Sequence, residues 1–230
     1  MSWREEVAAL PRLSPTEFDV DPESTALMLI DVQYIDASRE HGWGPDLKQS
    51  HPKVWEYYFD RVEQLAVPNM QRLLAAFRGA GLRVIHITLG PNLSDGADLA
   101  SGRRTTGGAI EALSSHVGTF AHSILSEVAP IADELVLNKT SRGAFNSTGI
   151  DQLLRNLGIR TVIMAGTTTS ACVETTARDA ADRGYRTVIV DDASAELDQA
   201  SHDATLRQFA VRWGRVWSTQ QVLDELGVRD

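Results

Sequence analysis

Six short apolar runs, each followed by a longer stretch, restrict this chain more than any other feature of its 230 residues. They read ALMLID (26–31), LRVIHIT (82–88), ELVLNK (134–139), RTVIMAG (160–166), RTVIVDD (186–192) and GRVWS (214–218). Rich in β-branched residues and almost continuously apolar, they have the character of strands buried on both faces. Such strands must be covered on two sides, which dictates what lies between them.

The intervening segments carry helical spacing. DRVEQLAVPNMQRLLAAFRGAG (60–81) has apolar residues at Leu65, Met70, Leu73, Leu74 and Phe77 and closes on glycine. STGIDQLLRNLGI (147–159) opens on a Ser/Thr cap and ends at Gly158. SACVETTARDAADRGY (170–185) again closes on glycine, ASHDATLRQFAVRW (200–213) follows the fifth run, and STQQVLDELG reads as a last helix with a capping serine. Strand alternating with helix predicts an α/β protein, with three αβα layers and a six-stranded, mainly parallel Rossmann-like sheet. With no repeat and no Gly/Ser linker, residues 1–230 are expected to form a single domain. Segments near 32–59 and 90–122 fit the alternation poorly and read as long insertions, of the kind that cover sites or join subunits.

Composition narrows the function. At 43% hydrophobic and 23% charged, the chain has the means to build an ordinary buried core. A net charge of −9, with no basic cluster longer than Arg103–Arg104, argues against a nucleic-acid partner. No apolar run approaches the ~20 residues of a membrane span. The N-terminal MSWREEVAALPRLSP is charged and broken by proline, unlike a signal peptide. One cysteine excludes an internal disulfide, and the expected location is the cytoplasm.

In an open α/β sheet, ligands bind beyond the carboxyl ends of the strands. The first run ends in Asp31, with Gln33 two residues on; the third ends in Lys139; the fourth leads through a threonine-rich turn to Cys172. An acid, an amine and a thiol on one sheet edge are the parts of a nucleophilic amide hydrolase. A free thiol titrates near ~8.5, and both a helix N-terminus and the Lys139 cation are expected to lower it. Asp31 would serve as general base and then general acid, and the N–H groups of the 168–172 turn would face the same space. Read singly, each residue has a structural alternative: a buried hydrophobe for Cys172, a solvated turn or cap for a strand-terminal acid such as Asp191–Asp192, a surface residue for Lys139. Their convergence favours chemistry.

ALMLIDVQ around Asp31, LNKTSRGAFNSTGIDQLL around Lys139 and VIMAGTTTSACVETTARDAADRGYRTVIVDDASA around Cys172 together resemble the isochorismatase-like cysteine hydrolases, over residues 24–226. The resemblance implies Asp31, Lys139 and Cys172 as a catalytic triad, the backbone N–H groups of Thr168 and Cys172 as an oxyanion hole, and a cis peptide between Thr167 and Thr168. It implies a thioester intermediate, release of ammonia or an amine, and a homodimer or homotetramer. Members that cleave nicotinamide carry a metal site built on Asp-x-His, which the segment YIDASREHGWGPDLKQSHPK lacks, and LGPNLSDGADLASGRR has no histidine. No metal and no cofactor are therefore expected. Isochorismate-cleaving members lack the cysteine, so the substrate class implied is a small amide, ureide or carbamoyl compound. The nearest resemblance is to the ureidoacrylate, biuret and N-carbamoylsarcosine enzymes.

For substrate contacts, Gln33 and Thr167 lie beside the triad in sequence, Tyr34 and Trp43 are candidate pocket walls, and Phe145 a candidate cover. Arg142 and Arg212, with Arg103 and Arg104, are candidate carboxylate clamps. Two other functions remain open on sequence grounds. One is a hydrolase of this fold acting on a non-amide substrate, such as a vinyl ether. The other is a redox-sensing thiol protein without turnover.

Overall fold

The structure, a computed structural model, describes residues 3–9, 18–100 and 115–229. Its centre is a sheet of six parallel strands in the order β3-β2-β1-β4-β5-β6. The strands are β1 (Thr25–Ile30), β2 (Arg83–Leu89), β3 (Leu135–Lys139), β4 (Thr161–Thr167), β5 (Arg186–Ala195) and β6 (Arg215–Trp217). Every residue of β1 and of β4 is buried, as the unbroken apolar runs require.

The helices, in chain order, are α1 (Trp3–Ala9), α2 (Tyr34–Ala37), α3 (Gly44–Ser50), α4 (Pro52–Arg61), α5 (Val67–Gly79), α6 (Ala144–Ser147), α7 (Ile150–Asn156), α8 (Glu174–Asp182), α9 (Gln199–Arg212) and α10 (Thr219–Leu226). Alternate residues of β1 serve the two faces. Leu27 and Leu29 join Phe59, Met70, Leu73 and Val222 from α4, α5 and α10. Met28 and Ile30 join Leu154, Ala177, Leu206 and Phe209 from α7, α8 and α9. The result is the three-layer arrangement. Among the described residues, no helix is long and apolar enough to cross a membrane.

Three elements differ from the sequence expectation. The helix expected from residue 60 begins at Pro52, inside the segment read as an insertion. Its entry residue, His51, makes no side-chain cap, so the usual start signal is missing, while Tyr58 and Phe59 are wholly buried and hold the helix to the core. Pro68 then lies within continuous helix, preceded by a π-helical turn over Val62–Ala66. That wider turn accommodates a residue that lacks an N–H and whose ring crowds the carbonyl four positions back. The helix expected over 147–159 is split into α6 and α7. Thr148 explains the break: its Oγ1 donates to the Ala144 carbonyl (2.7 Å) and accepts from the Ile150 N–H (3.2 Å).

β5 is longer than its apolar run and carries Asp191 and Asp192 within the sheet instead of in a turn. Asp192 accepts from the Thr219 N–H and hydroxyl (2.7 and 2.8 Å) at the start of α10. The pairing of β4 with β5 shifts register between Met164 and Gly166. Gly166 has φ +136 and faces Ile30, and a Cβ there would overlap the Ile30 carbonyl oxygen. Glycine thus lets β4 press against the end of β1, one residue before Asp31.

Candidate active site

The chain leaves β1 through Asp31, one of two described non-glycine residues at positive φ (+51). Aspartate tolerates this conformation better than most residues. Its backbone is gripped from both neighbouring strands: the Asp31 N–H donates to the Ile87 carbonyl (2.9 Å), and the Asp31 carbonyl accepts from Thr167 Oγ1 (2.9 Å). The turn aims the carboxylate across the strand ends.

Lys139 ends β3 and is fully buried. Its Nζ lies 2.7 Å from Asp31 Oδ2 and 3.3 Å from Cys172 Sγ. Burial alone would push the ammonium down, but Asp31 and Cys172 outweigh it and hold Lys139 above its ordinary value. Asp31 Oδ1 is buried and has no hydrogen-bond partner. One carboxylate oxygen is thus committed to the lysine while the other is free.

Cys172 follows β4 through a π-helical turn, Thr169–Val173, that opens α8. The Thr167–Thr168 peptide preceding it is cis. The N–H groups of Ala171 and Val173 both donate to the Thr168 carbonyl (3.2 and 3.3 Å), and the Ser170 N–H donates to Glu196 Oε2 (2.6 Å). The expectation of a thiol lowered by Lys139 and a helix end is corrected. Burial pushes the Cys172 thiol up to about 12; the Asp31 carboxylate adds to that, and Lys139 only partly opposes it. A second anion beside Asp31, with water excluded, costs more than one ammonium returns. The resting group is a neutral thiol against an ion pair.

The structure brings Asp31, Lys139 and Cys172 into contact, keeps Thr167 on the Asp31 carbonyl and Gln33 in the loop beside it, and engages several of the other candidates elsewhere. Gln33 has both ends of its amide occupied: Nε2 donates to the Leu89 and His122 carbonyls (3.3 and 2.6 Å), and Oε1 accepts from the Leu89 N–H (2.7 Å). It braces the loop instead of presenting a free donor. Trp43 donates to Asp36 Oδ1 (3.1 Å) and packs on Tyr58 and Phe59. Tyr34 packs on Phe120, with ring centroids 4.3 Å apart, and on His41. Phe145, expected to cover the reacting centre, instead lies against Tyr185 and beneath the Arg183 guanidinium, past the far end of α8. Arg212 is contradicted as a clamp. It closes α9, a helix of 14 residues that begins at the carboxyl edge of the sheet and runs about 20 Å away from it. Arg142 is exposed, three residues beyond Lys139, with no ion pair among the described residues. Arg103 and Arg104 lie outside the described residues. No group of three or more His, Cys, Asp or Glu side chains among the described residues has the arrangement of a metal site.

Sequence reasoning missed Glu196 and His202. Both are buried, and both bind the turn before Cys172, Glu196 at Ser170 and His202 at Thr169 (Nδ1 to Oγ1, 2.9 Å). No local pattern marks them, because each acts across the fold.

An α/β sheet with this edge defines a class of hydrolytic enzymes, and the comparison with known proteins agrees. The pattern of the isochorismatase domain matches residues 25–221, and the chain belongs to that family. Maleamate amidohydrolase of Pseudomonas putida is 30% identical over 70% of this chain and 74% of its own. Ureidoacrylate amidohydrolase RutB of Acinetobacter baylyi is 25% identical over 93% of this chain and 88% of its own. Among solved structures, a cysteine hydrolase from Pseudomonas syringae superposes with a TM-score of 0.80 at 24% identity, covering 95% of this chain and 98% of that one. N-carbamoylsarcosine amidase from Thermoplasma acidophilum gives 0.63 at 25% identity, covering 85% and 96%. At the level of the family, the similarity supports an enzyme that hydrolyses a C–N bond other than a peptide bond.

Proposed function

We propose that this protein is a cysteine amidohydrolase that cleaves a small amide, ureide or carbamoyl compound through a thioester on Cys172. The observation that carries the reading is Lys139 Nζ within reach of both Asp31 Oδ2 and Cys172 Sγ, with Asp31 Oδ1 left without a partner. As Sγ attacks the substrate carbon, Asp31 takes the thiol proton and the carbonyl electron pair moves to oxygen. The N–H groups of Thr168 and Cys172 receive that oxyanion, an interaction commonly worth ~3 kcal/mol per donor. Collapse expels the amine, which takes the proton back from Asp31. Water then attacks the thioester, Asp31 accepts its proton, and the acid leaves as the thiol re-forms. Lys139, 2.7 Å from Asp31 Oδ2, keeps the carboxyl group fixed in direction as it takes up and returns the proton.

A neutral thiol suits this scheme, because deprotonation coincides with attack and the site never stores a thiolate. It counts against a redox sensor, whose cysteine is accessible and of low pKa. Ammonia release from a panel of primary amides, ureides and carbamoyl amino acids tests the reading. Turnover is expected in the wild type and is expected to fall by about 10³ or more in Cys172→Ala. Turnover that survives the substitution, or none across the panel, overturns it.

A further inference from the structure

A buried polar cluster lies behind the turn that carries Cys172, and the hydrolytic scheme leaves it without a task. Thr169 Oγ1 is 3.0 Å from the Ala195 carbonyl and 2.9 Å from His202 Nδ1. A carbonyl only accepts, so the hydroxyl proton goes to Ala195 and His202 Nδ1–H donates to Thr169. On its other side, His202 Nε2 is 2.7 Å from Asp191 Oδ1 and 2.7 Å from Arg61 Nη2. Arg61 in turn donates to the Ser194 carbonyl (2.9 Å) and the Asp191 carbonyl (3.0 Å). One residue further along the turn, the Ser170 N–H is taken by Glu196 Oε2, whose Oε1 accepts from the Leu197 N–H (2.9 Å). The end of β5 and the first turn of α9 therefore grip both residues between Thr168 and Ala171. Thr169, His202 and Glu196 are all at least nine-tenths buried.

We propose that His202, acting through Thr169, is a positioning residue that fixes the direction of the Thr168 and Cys172 N–H groups toward the developing oxyanion. The inference rests on the cysteine reading above. None of these side chains touches Sγ, so they set the geometry of the N–H groups without changing the nucleophile. A hydrogen bond from His202 to Oγ1 holds one rotamer of Thr169, and with it the backbone that supplies both N–H groups. Loss of that bond is expected to weaken binding of a tetrahedral adduct while leaving reactions that form no oxyanion untouched.

Propanal and iodoacetamide separate the two. Sγ adds to the propanal carbonyl carbon, the C=O pair moves to oxygen, and the thiol proton follows onto that oxygen, giving a reversible hemithioacetal. Iodoacetamide alkylates Sγ by displacing iodide, with no charge on a carbonyl oxygen. The propanal dissociation constant is read by mass spectrometry at pH 9 as protection of Cys172 from iodoacetamide. His202→Ala is expected to raise that constant by about tenfold or more, with alkylation in the absence of propanal within about twofold of wild type. Thr169→Val is expected to do the same, and it carries the test should His202→Ala not fold. His202→Asn, whose amide nitrogen takes the place of Nδ1, is expected to restore most of the affinity, whereas His202→Gln is not. An unchanged propanal constant in Thr169→Val and in any folded His202 variant overturns the proposal, as does a parallel loss of alkylation. A wild type that neither alkylates nor is protected brings down the cysteine reading itself, a distinguishable result.

Discussion

Two carboxylates, the buried Asp31 and the half-buried Glu134, are paired with cations at opposite ends of the sheet, and they are treated differently. Glu134, just before β3, accepts from Arg78 Nε and Nη2 (2.8 and 2.9 Å), His86 Nε2 (3.1 Å) and the Ile131 N–H (2.9 Å). Burial pushes its carboxyl up, but those donors outweigh burial and bring it down to about 2. Asp31 has one ammonium on one oxygen and nothing on the other. A saturated carboxylate holds the fold together and has no lone pair to spare for a proton. The half-satisfied one costs stability, and that cost is intelligible only where a proton is to be received.

The contrast breaks most visibly at Asp31. Asp31→Asn is expected to cut turnover by about 10³ to 10⁴ while far-UV circular dichroism stays that of the wild type. Retained turnover would make Asp31 another structural acid. Glu134→Gln should do the reverse, lowering unfolding free energy by about 3 kcal/mol in urea with kcat within about threefold. A dead but stable Glu134→Gln would erase the distinction.

Acid sharpens it. The folded value of Glu134 lies below its unfolded value, so its contribution is complete above pH ~4.5 and is lost as pH falls toward 2. Burial also holds His86 below its ordinary value, so stability should start to decline below about pH 6.5, where unfolded histidine gains a proton that His86 resists. Urea midpoints between pH 7 and 3 check both, and a flat profile in the wild type would refute them. The smallest effect is at the thiol. With Cys172 pushed up to about 12, iodoacetamide alkylation should climb about tenfold per pH unit from 7 to 10 with no plateau. A plateau near neutrality would mean a resting thiolate.

Much of this was legible in the sequence because parallel strands covered on both faces write themselves as unbroken apolar runs. All six were readable to within a few residues, and the residues that end β1 and β3, and the turn after β4, pointed to Asp31, Lys139 and Cys172. What escaped depends on partners distant in the chain. Glu196 and His202 mean nothing until β5 and α9 meet the turn, and Arg61 reaches that cluster from a helix whose start has no cap. Asp191 and Asp192 look like loop residues until Arg61, His202 and Thr219 pair with them. The thiol was misjudged for a related reason. Spacing shows that a cation is near, but not that water is excluded or that the Asp31 carboxylate opposes it.

Asp31, Lys139 and Cys172 each ride on a strand or on the first turn beyond one, so the reacting atoms are set by sheet register and not by any surface loop. Beyond Asp31 and the Gln33 brace, the chain leading to α4 supplies none of the three reacting groups, and neither does the described chain between β2 and β3. The scaffold thus separates the parts that react, anchored to the sheet, from the longer connections that frame them.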